Sequence, residues 1–191
     1  MGLDYINLND AVRQYMLAEF DQGSRYYSPR LNEAGKRKWD MLLKDALQYH
    51  TDIWLERELI RHNCFLNEEI LKSSMGRTVK RAVNKAQSAR ILAEREFNRY
   101  YLRGLCMAAA AQDKSHLLLY KARSSAELSE DMKRKIGTLI DCKALLAILR
   151  ARSVSLELVL SIEGAAHYTL SARIPSPWEL KSLLEKKKSP A

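Results

Sequence analysis

Two sets of residues in this chain have the types and spacing to do chemistry. The first is small. Glu58 and His62 lie one helical turn apart, with Glu69 further along the same stretch. A carboxylate and an imidazole at that spacing can share a proton or contribute to a metal site. Metal sites need three or four converging ligands, however, and Cys64 falls at a different angle around the helix, so the expectation is a surface or core pair. His116 and His167 stand beside separate strand-like runs, and neither has a serine or cysteine in a nucleophile motif nearby. Gly104, Gly137 and Gly164 are isolated and lack the spacing of a phosphate-cradling loop. Cys64, Cys106 and Cys142 are odd in number and far apart, which reads as free, buried thiols. These observations predict a non-enzymatic chain with no metal and no cofactor.

The second set is a row of cations. On a helical wheel Arg77, Arg81, Lys85, Arg95, Arg99 and Arg103 fall within about 80° of one another. Well away from them, Val79, Ala82, Val83, Ala86, Ala89, Ala93, Phe97, Tyr100 and Tyr101 span about 120°. Ser88 and Leu92 interrupt the basic stripe, and Arg90 falls on the apolar side, where its stem can pack while its head stays in water. A line of guanidinium groups on a rigid helix neutralises several phosphates at once and releases their counterions. Arginine suits that task because its planar fork pairs bidentately with phosphate.

The charge is unevenly divided, which supports the same reading. Residues 1–76 carry 10 Lys or Arg against 12 Asp or Glu, residues 77–111 carry 8 against 2, and residues 112–191 carry 14 against 9, for a formal total of +9. Such asymmetry points to a polyanionic partner, DNA or RNA, and equally suits an acidic protein surface. The expected function is therefore non-catalytic nucleic-acid binding through the phosphate backbone by the six stripe cations, with Lys133, Arg134 and Lys135 assisting. The alternative is a structural or adaptor subunit of a larger assembly, such as a viral particle or a secretion complex, docking an acidic protein surface. Self-association is open under either. The aromatics of the stripe helix, Phe97, Tyr100 and Tyr101, sit on its apolar arc and are expected in the core rather than stacked on bases. Arg25, Tyr26 and Tyr27 in the loop RYYSPR are better placed for stacking, since a loop can leave its rings exposed.

The elements that must position these groups are mostly helical. Asn9 and Asn32 are placed to cap helices whose apolar residues follow three- and four-residue steps, Val12 to Phe20 in one and Trp39 to Leu47 in the next. Thr51 or Asp52 starts a third, running to about Lys72, and Ser73 to Gly76 breaks it before the long helix of 77–111. Beyond that, His116 to Ala122 reads as a strand, Ser129 opens a short basic helix, and Asp141 to Arg150 is helical. Val154 to Ile162 and Ala166 to Ile174 alternate apolar and polar residues around a turn at Glu163 to Ala165, which predicts a hairpin whose edge strand can accept a strand from another subunit. Trp178 to Glu185 forms a last short helix.

The expected architecture is thus α+β and mainly α: a helical body over 1–111, a small α/β portion over 112–177 packed on it, and a short helix and basic tail over 178–191. No apolar run approaches the roughly 20 residues needed to span a bilayer, and the N-terminus lacks a secretory pattern. The expected location is the cytoplasm or an intracellular particle.

Overall fold

The first two helices start at their caps. In the computed structural model, which describes residues 2–23, 25–72, 78–125, 127–151, 156–160 and 169–188, Asn9 Oδ1 accepts the Val12 N–H at 3.0 Å and opens α1 (Asp10–Gln22). Asn32 Oδ1 accepts the Gly35 N–H at 2.8 Å and opens α2 (Glu33–Tyr49). α3 (Asp52–Arg61) begins without a side-chain cap from Thr51. The stepped apolar residues Val12, Met16, Phe20, Trp39, Leu43, Leu47, Leu55 and Leu59 are all buried in one core. The fold is α+β, mainly α.

The helix expected to run to Lys72 instead ends at Arg61. Asn63 takes a left-handed φ of 47°, the chain turns, and two strands follow, β1 (Glu68–Lys72) and β2 (Thr78–Ala82). They pair antiparallel, with Glu69 opposite Arg81 and Ile70 opposite Lys80. The long helix expected over 77–111 is therefore shorter: α4 (Lys85–Ala110) starts after Asn84, whose side chain accepts the Gln87 N–H at 3.0 Å. Two physical signals set that boundary. Thr78 and Val79 are β-branched and favour extended backbone, and asparagine competes with the helix interior but serves its start.

The C-terminal part carries the second difference. β3 (His116–Lys121) forms where expected, flanked by β4 (Leu139–Asp141) and β5 (Leu170–Arg173), both antiparallel to it. Among the described residues the hairpin expected over 154–174 is not seen: its C-terminal part is β5, which pairs with β3, Leu119 opposite Ala172. Leu156–Val159 is instead a helical turn, α7, while residues 152–155 and 161–168, including the expected turn at Glu163 to Ala165, lie outside the described residues. From α7 the buried Glu157 carboxylate accepts the N–H groups of Thr169 and Leu170 at 2.9 and 3.0 Å, so a side chain satisfies both amides at the start of β5. Leucine and glutamate are also good helix formers, whatever their alternation.

Three later helices also open on side-chain caps. α5 (Glu130–Lys135) has Ser129 before it, accepting the Met132 N–H, and α6 (Cys142–Ala151) has Asp141, accepting the Ala144 N–H at 2.8 Å. α8 (Pro177–Lys188) opens on a capping box: Ser176 Oγ accepts the Glu179 N–H at 3.3 Å, the Glu179 carboxylate accepts the Ser176 N–H at 2.9 Å, and proline fills the first helical position. No helix among the described residues is long and apolar enough to cross a membrane.

α4 is the spine on which the rest is assembled. Phe97, Tyr100 and Tyr101 are fully buried, as their arc implied. α1 crosses at Gly104, where an added Cβ would sit 2.6 Å from Met16 Cγ and 2.9 Å from the Met16 nitrogen. The sheet is tied on by Asn98, which donates to the Leu170 carbonyl at 3.0 Å, and by the Tyr101 hydroxyl, which donates to the Ala172 carbonyl at 3.2 Å. Cys106 of α4 and Cys142 of α6 are distant in sequence yet meet in the core, and hydrogen bonding to Cys142 together with burial holds the Cys106 thiol well above its usual range.

Where the N-terminal segment meets α3, Asp52 is buried and accepts the Leu3 N–H at 2.9 Å. Burial pushes its carboxyl up, against the amide bonds from Leu3 and Ile53 that favour the anion. A carboxyl with a higher pKa folded than unfolded binds more protons when folded, so stability falls as pH rises from about 4 through the raised value. Asp52→Asn keeps an acceptor for Leu3 and removes the charge. It is expected to flatten that limb of the stability profile in urea titrations, and an unchanged slope would show that Asp52 is not its source.

Candidate nucleic-acid interface

The stripe cations of α4 do not face solvent as a row. Arg99 and Arg103 are each 3% exposed. Arg99 donates through Nε and Nη2 to Glu96 Oε2 at 3.1 and 2.7 Å, and Arg95 Nε donates to Glu96 Oε1 at 3.1 Å. Arg103 Nε donates to Glu19 Oε2 at 2.8 Å and its Nη2 to the Glu19 carbonyl at 3.1 Å, while Arg150 of α6 reaches the same carboxylate from the other side. The Arg99 and Arg103 guanidiniums each lie 4.9 Å from the centre of the Tyr100 ring. Burial alone would raise the Glu19 carboxyl, but its bonds to Arg150 and Arg103 outweigh that and hold it below the usual range.

The expectation that Arg99 and Arg103 present themselves to phosphate is thus corrected: both are internal ion-pair residues, while Arg95 pairs with Glu96 but remains half-buried at the wall of a cleft. A wheel separates the faces of an isolated helix, but α4 is covered by α1, α3, α6 and the sheet, so its polar side becomes a second interior surface. The other cations fare differently. Lys85 donates to Asn63 Oδ1 at 2.8 Å. Lys133 and Arg134 are exposed and pair with Glu130 and Asp131 on their own short helix, and Lys135 is half-buried. Arg77 lies outside the described residues, and Arg81 stands on β2.

Of the cations predicted for the stripe, Arg81 does reach solvent, on the β1–β2 arm. Every position of β2 is exposed. Between residues 68 and 85 the sequence places Lys72, Arg77, Lys80, Arg81 and Lys85 against only Glu68 and Glu69. Glu68 makes a loose, exposed pair with Lys80 at 3.7 Å. Glu69 is committed to the body, since Arg30 Nε and Nη2 donate to its two oxygens at 2.7 and 2.9 Å, and that bidentate pair holds its carboxyl below the usual range.

Where the arm leaves the body there is a cleft of about 300 Å³, lined by Tyr26, Ser28, Pro29, Arg30, Glu69, Ser88, Ile91, Leu92 and Arg95. The loop RYYSPR supplies four of these residues, so the stacking candidates separate. Tyr26 lines the cleft with the Arg95 guanidinium 3.8 Å from its ring centre, whereas the Tyr27 hydroxyl donates to Asp40 Oδ1 at 2.7 Å elsewhere. No family model, curated protein or solved structure matches this chain.

The chemistry considered for Glu58 and His62 does not assemble around Glu69. Lys38 Nζ donates to His62 Nδ1 at 2.8 Å, so the ring presents Nε2–H toward Glu58 Oε2 at 3.4 Å, and Arg61 shares that carboxylate at 3.1 Å. Glu69 belongs to β1 and to Arg30 instead. Among the described residues, no three or more His, Cys, Asp or Glu side chains are grouped to hold a metal. Sequence reasoning missed Arg30, Ser88 and Ile91 as site residues. The contact from Arg30 to Glu69 joins residues 39 apart, and no local periodicity reports such a pair.

Proposed function

We propose that this protein binds nucleic acid without catalysis, largely through the phosphate backbone, and that the β1–β2 arm is its contact surface. The observation that carries the reading is an exposed two-stranded ribbon with Lys80 and Arg81 on its second strand, in a stretch of sequence that also holds Lys72, Arg77 and Lys85. An antiparallel ribbon is narrow enough for the major groove of B-DNA, about 12 Å wide, and also follows a single strand. Strands of five residues extend about 17 Å, enough to reach phosphates on both sides of a groove. Binding of this kind weakens steeply with salt and depends little on sequence.

The test is charge reversal on the arm. Lys80→Glu with Arg81→Glu is expected to cut retention of DNA or RNA sharply and to lower the slope of log affinity against log salt by about 2, one for each lost phosphate contact. Both side chains are exposed, so circular dichroism should report an unchanged fold. Equal retention by the folded variant sinks the arm as the interface.

An assembly subunit is the second reading, and one observation favours it: Trp178, at the start of α8, is 76% exposed. A large aromatic left in water on a capped helix suits a protein contact better than a phosphate contact. Under that reading the wild-type protein is not retained by nucleic acid at low salt, and light scattering reports self-association or a defined complex.

A further inference from the structure

We infer that the cleft at the base of the arm is a pocket for one unpaired nucleotide of a single strand, a base with its adjoining phosphate. The inference rests on the nucleic-acid reading and adds a ligand class and a selectivity to it. Its volume of about 300 Å³ accepts a base and sugar and is far too small for a stacked base pair. Apolar walls come from Ile91 and Leu92 on α4 and from Pro29 on the loop, and they flank the stack of Arg95 on Tyr26. Unpaired bases are held in this way, against aromatic rings or guanidinium planes, with hydroxyls reading their edges. Ser28 and Ser88 supply hydroxyls in the same cleft.

The platform is set before any strand arrives. The Tyr26 carbonyl accepts the Trp39 indole N–H at 2.8 Å, and Arg95 is fixed at its other side by Glu96, so neither partner of the stack must be ordered on binding. Arg30 is placed for the phosphate. It gives Nε and Nη2 to Glu69 and Nη1 to Ser88 Oγ at 3.4 Å, leaving two of its five N–H donors, and its side chain is 41% exposed. Arg81 lies directly across the ladder from Glu69, so a backbone that follows the arm's cations arrives at the mouth of the cleft. The Arg30–Glu69 pair then joins the two parts of the site: it fixes the arm to the loop that carries Tyr26.

Ile91→Trp fills the cleft without altering a charge and separates this inference from the arm reading. The probes are a short fluorescein-labelled single-stranded oligonucleotide and a blunt duplex of the same length. Ile91→Trp is expected to weaken single-strand binding about tenfold, as for the loss of one stacked base, and to leave duplex binding within about twofold. In parallel, a strand carrying 4-thiouridine is irradiated with the wild-type protein, and the crosslinked peptide should contain Tyr26 or Ile91. That measurement stands even if the tryptophan variant does not fold. Crosslinks confined to the arm, or a folded Ile91→Trp protein with both affinities unchanged or both reduced alike, overturn the pocket and leave the arm reading intact. Wild-type protein that binds neither probe overturns both.

Discussion

Replacing Glu19 by alanine is expected to lower the free energy of unfolding by about 3–5 kcal/mol, because it leaves a buried guanidinium without its counter-charge. Glu19 holds Arg103 from α4 and Arg150 from α6 on one carboxylate. The two arginines will not suffer equally. Arg150 has a side chain 46% exposed and can turn to water, whereas Arg103 is 3% exposed beneath α1 and Tyr100 and cannot. The cost is therefore expected to come almost wholly from Arg103. Urea unfolding at neutral pH measures it, and a loss below about 1 kcal/mol would mean that the pair behaves as a solvated surface contact.

Two companion measurements sharpen this expectation. Since Glu19 is held below its unfolded value, its contribution is fully present above about pH 4.3 and disappears as pH falls through the folded value. The alanine variant should lack that acid limb. Removing both charges together, Glu19→Leu with Arg103→Met, is expected to cost far less than Glu19→Ala, since well-packed apolar replacements of a buried ion pair are often neutral.

The second large effect is expected at Gly35, where alanine should destabilise by about 2 kcal/mol or more through overpacking. Its sign makes the test clean. Glycine to alanine within a helix ordinarily gains about 0.5–1 kcal/mol. At Gly35, in the first turn of α2, an added Cβ would overlap the Cys64 carbonyl oxygen and lie 2.9 Å from both the Cys64 carbonyl carbon and its Cβ. The neighbouring backbone has little freedom to retreat. Asn32 donates from its side chain to the carbonyls of Asn63 and Phe65 at 2.8 and 3.1 Å and from its backbone to that of Cys64 at 2.9 Å. Leu31 and Phe65 also form a β-bridge. Thermal unfolding reads the result, and a raised midpoint would show that residues 63–65 yield more easily than this stitching implies. Those residues lead into β1, so a forced shift there also moves the base of the arm.

Much of the fold was legible because its signals are local. Asn9, Asn32 and Ser129 cap the helices they were expected to cap, and the stepped apolar residues of α1 and α2 are core. His116 to Lys121 is a strand. The failures share a cause. Residues 78–82 satisfied a helical wheel over a span too short to exclude a strand, and the register that decided the matter is with Glu68–Lys72 across a turn. Leu156 and Glu157 satisfied strand alternation, yet β5 found its partner in β3, on the far side of three helices and a strand in the sequence. Of the candidate site, Arg81, Arg95 and Tyr26 could be named in advance, but the cleft could not. It exists only once the loop, the arm and α4 are brought together.

By itself the sequence determined where most helices begin, which faces are apolar, and that residues 77–111 carry a large excess of positive charge. Only the tertiary structure decided which of those cations water can reach. Arg99 and Arg103 were drawn inward by Glu96 and Glu19, Arg95 was held half-buried at the cleft, and Lys80 and Arg81 were carried out on a ribbon. The reason is physical: a side chain's charge belongs to its own residue, but its solvation depends on what packs over it, and those groups come from elements far away in the chain.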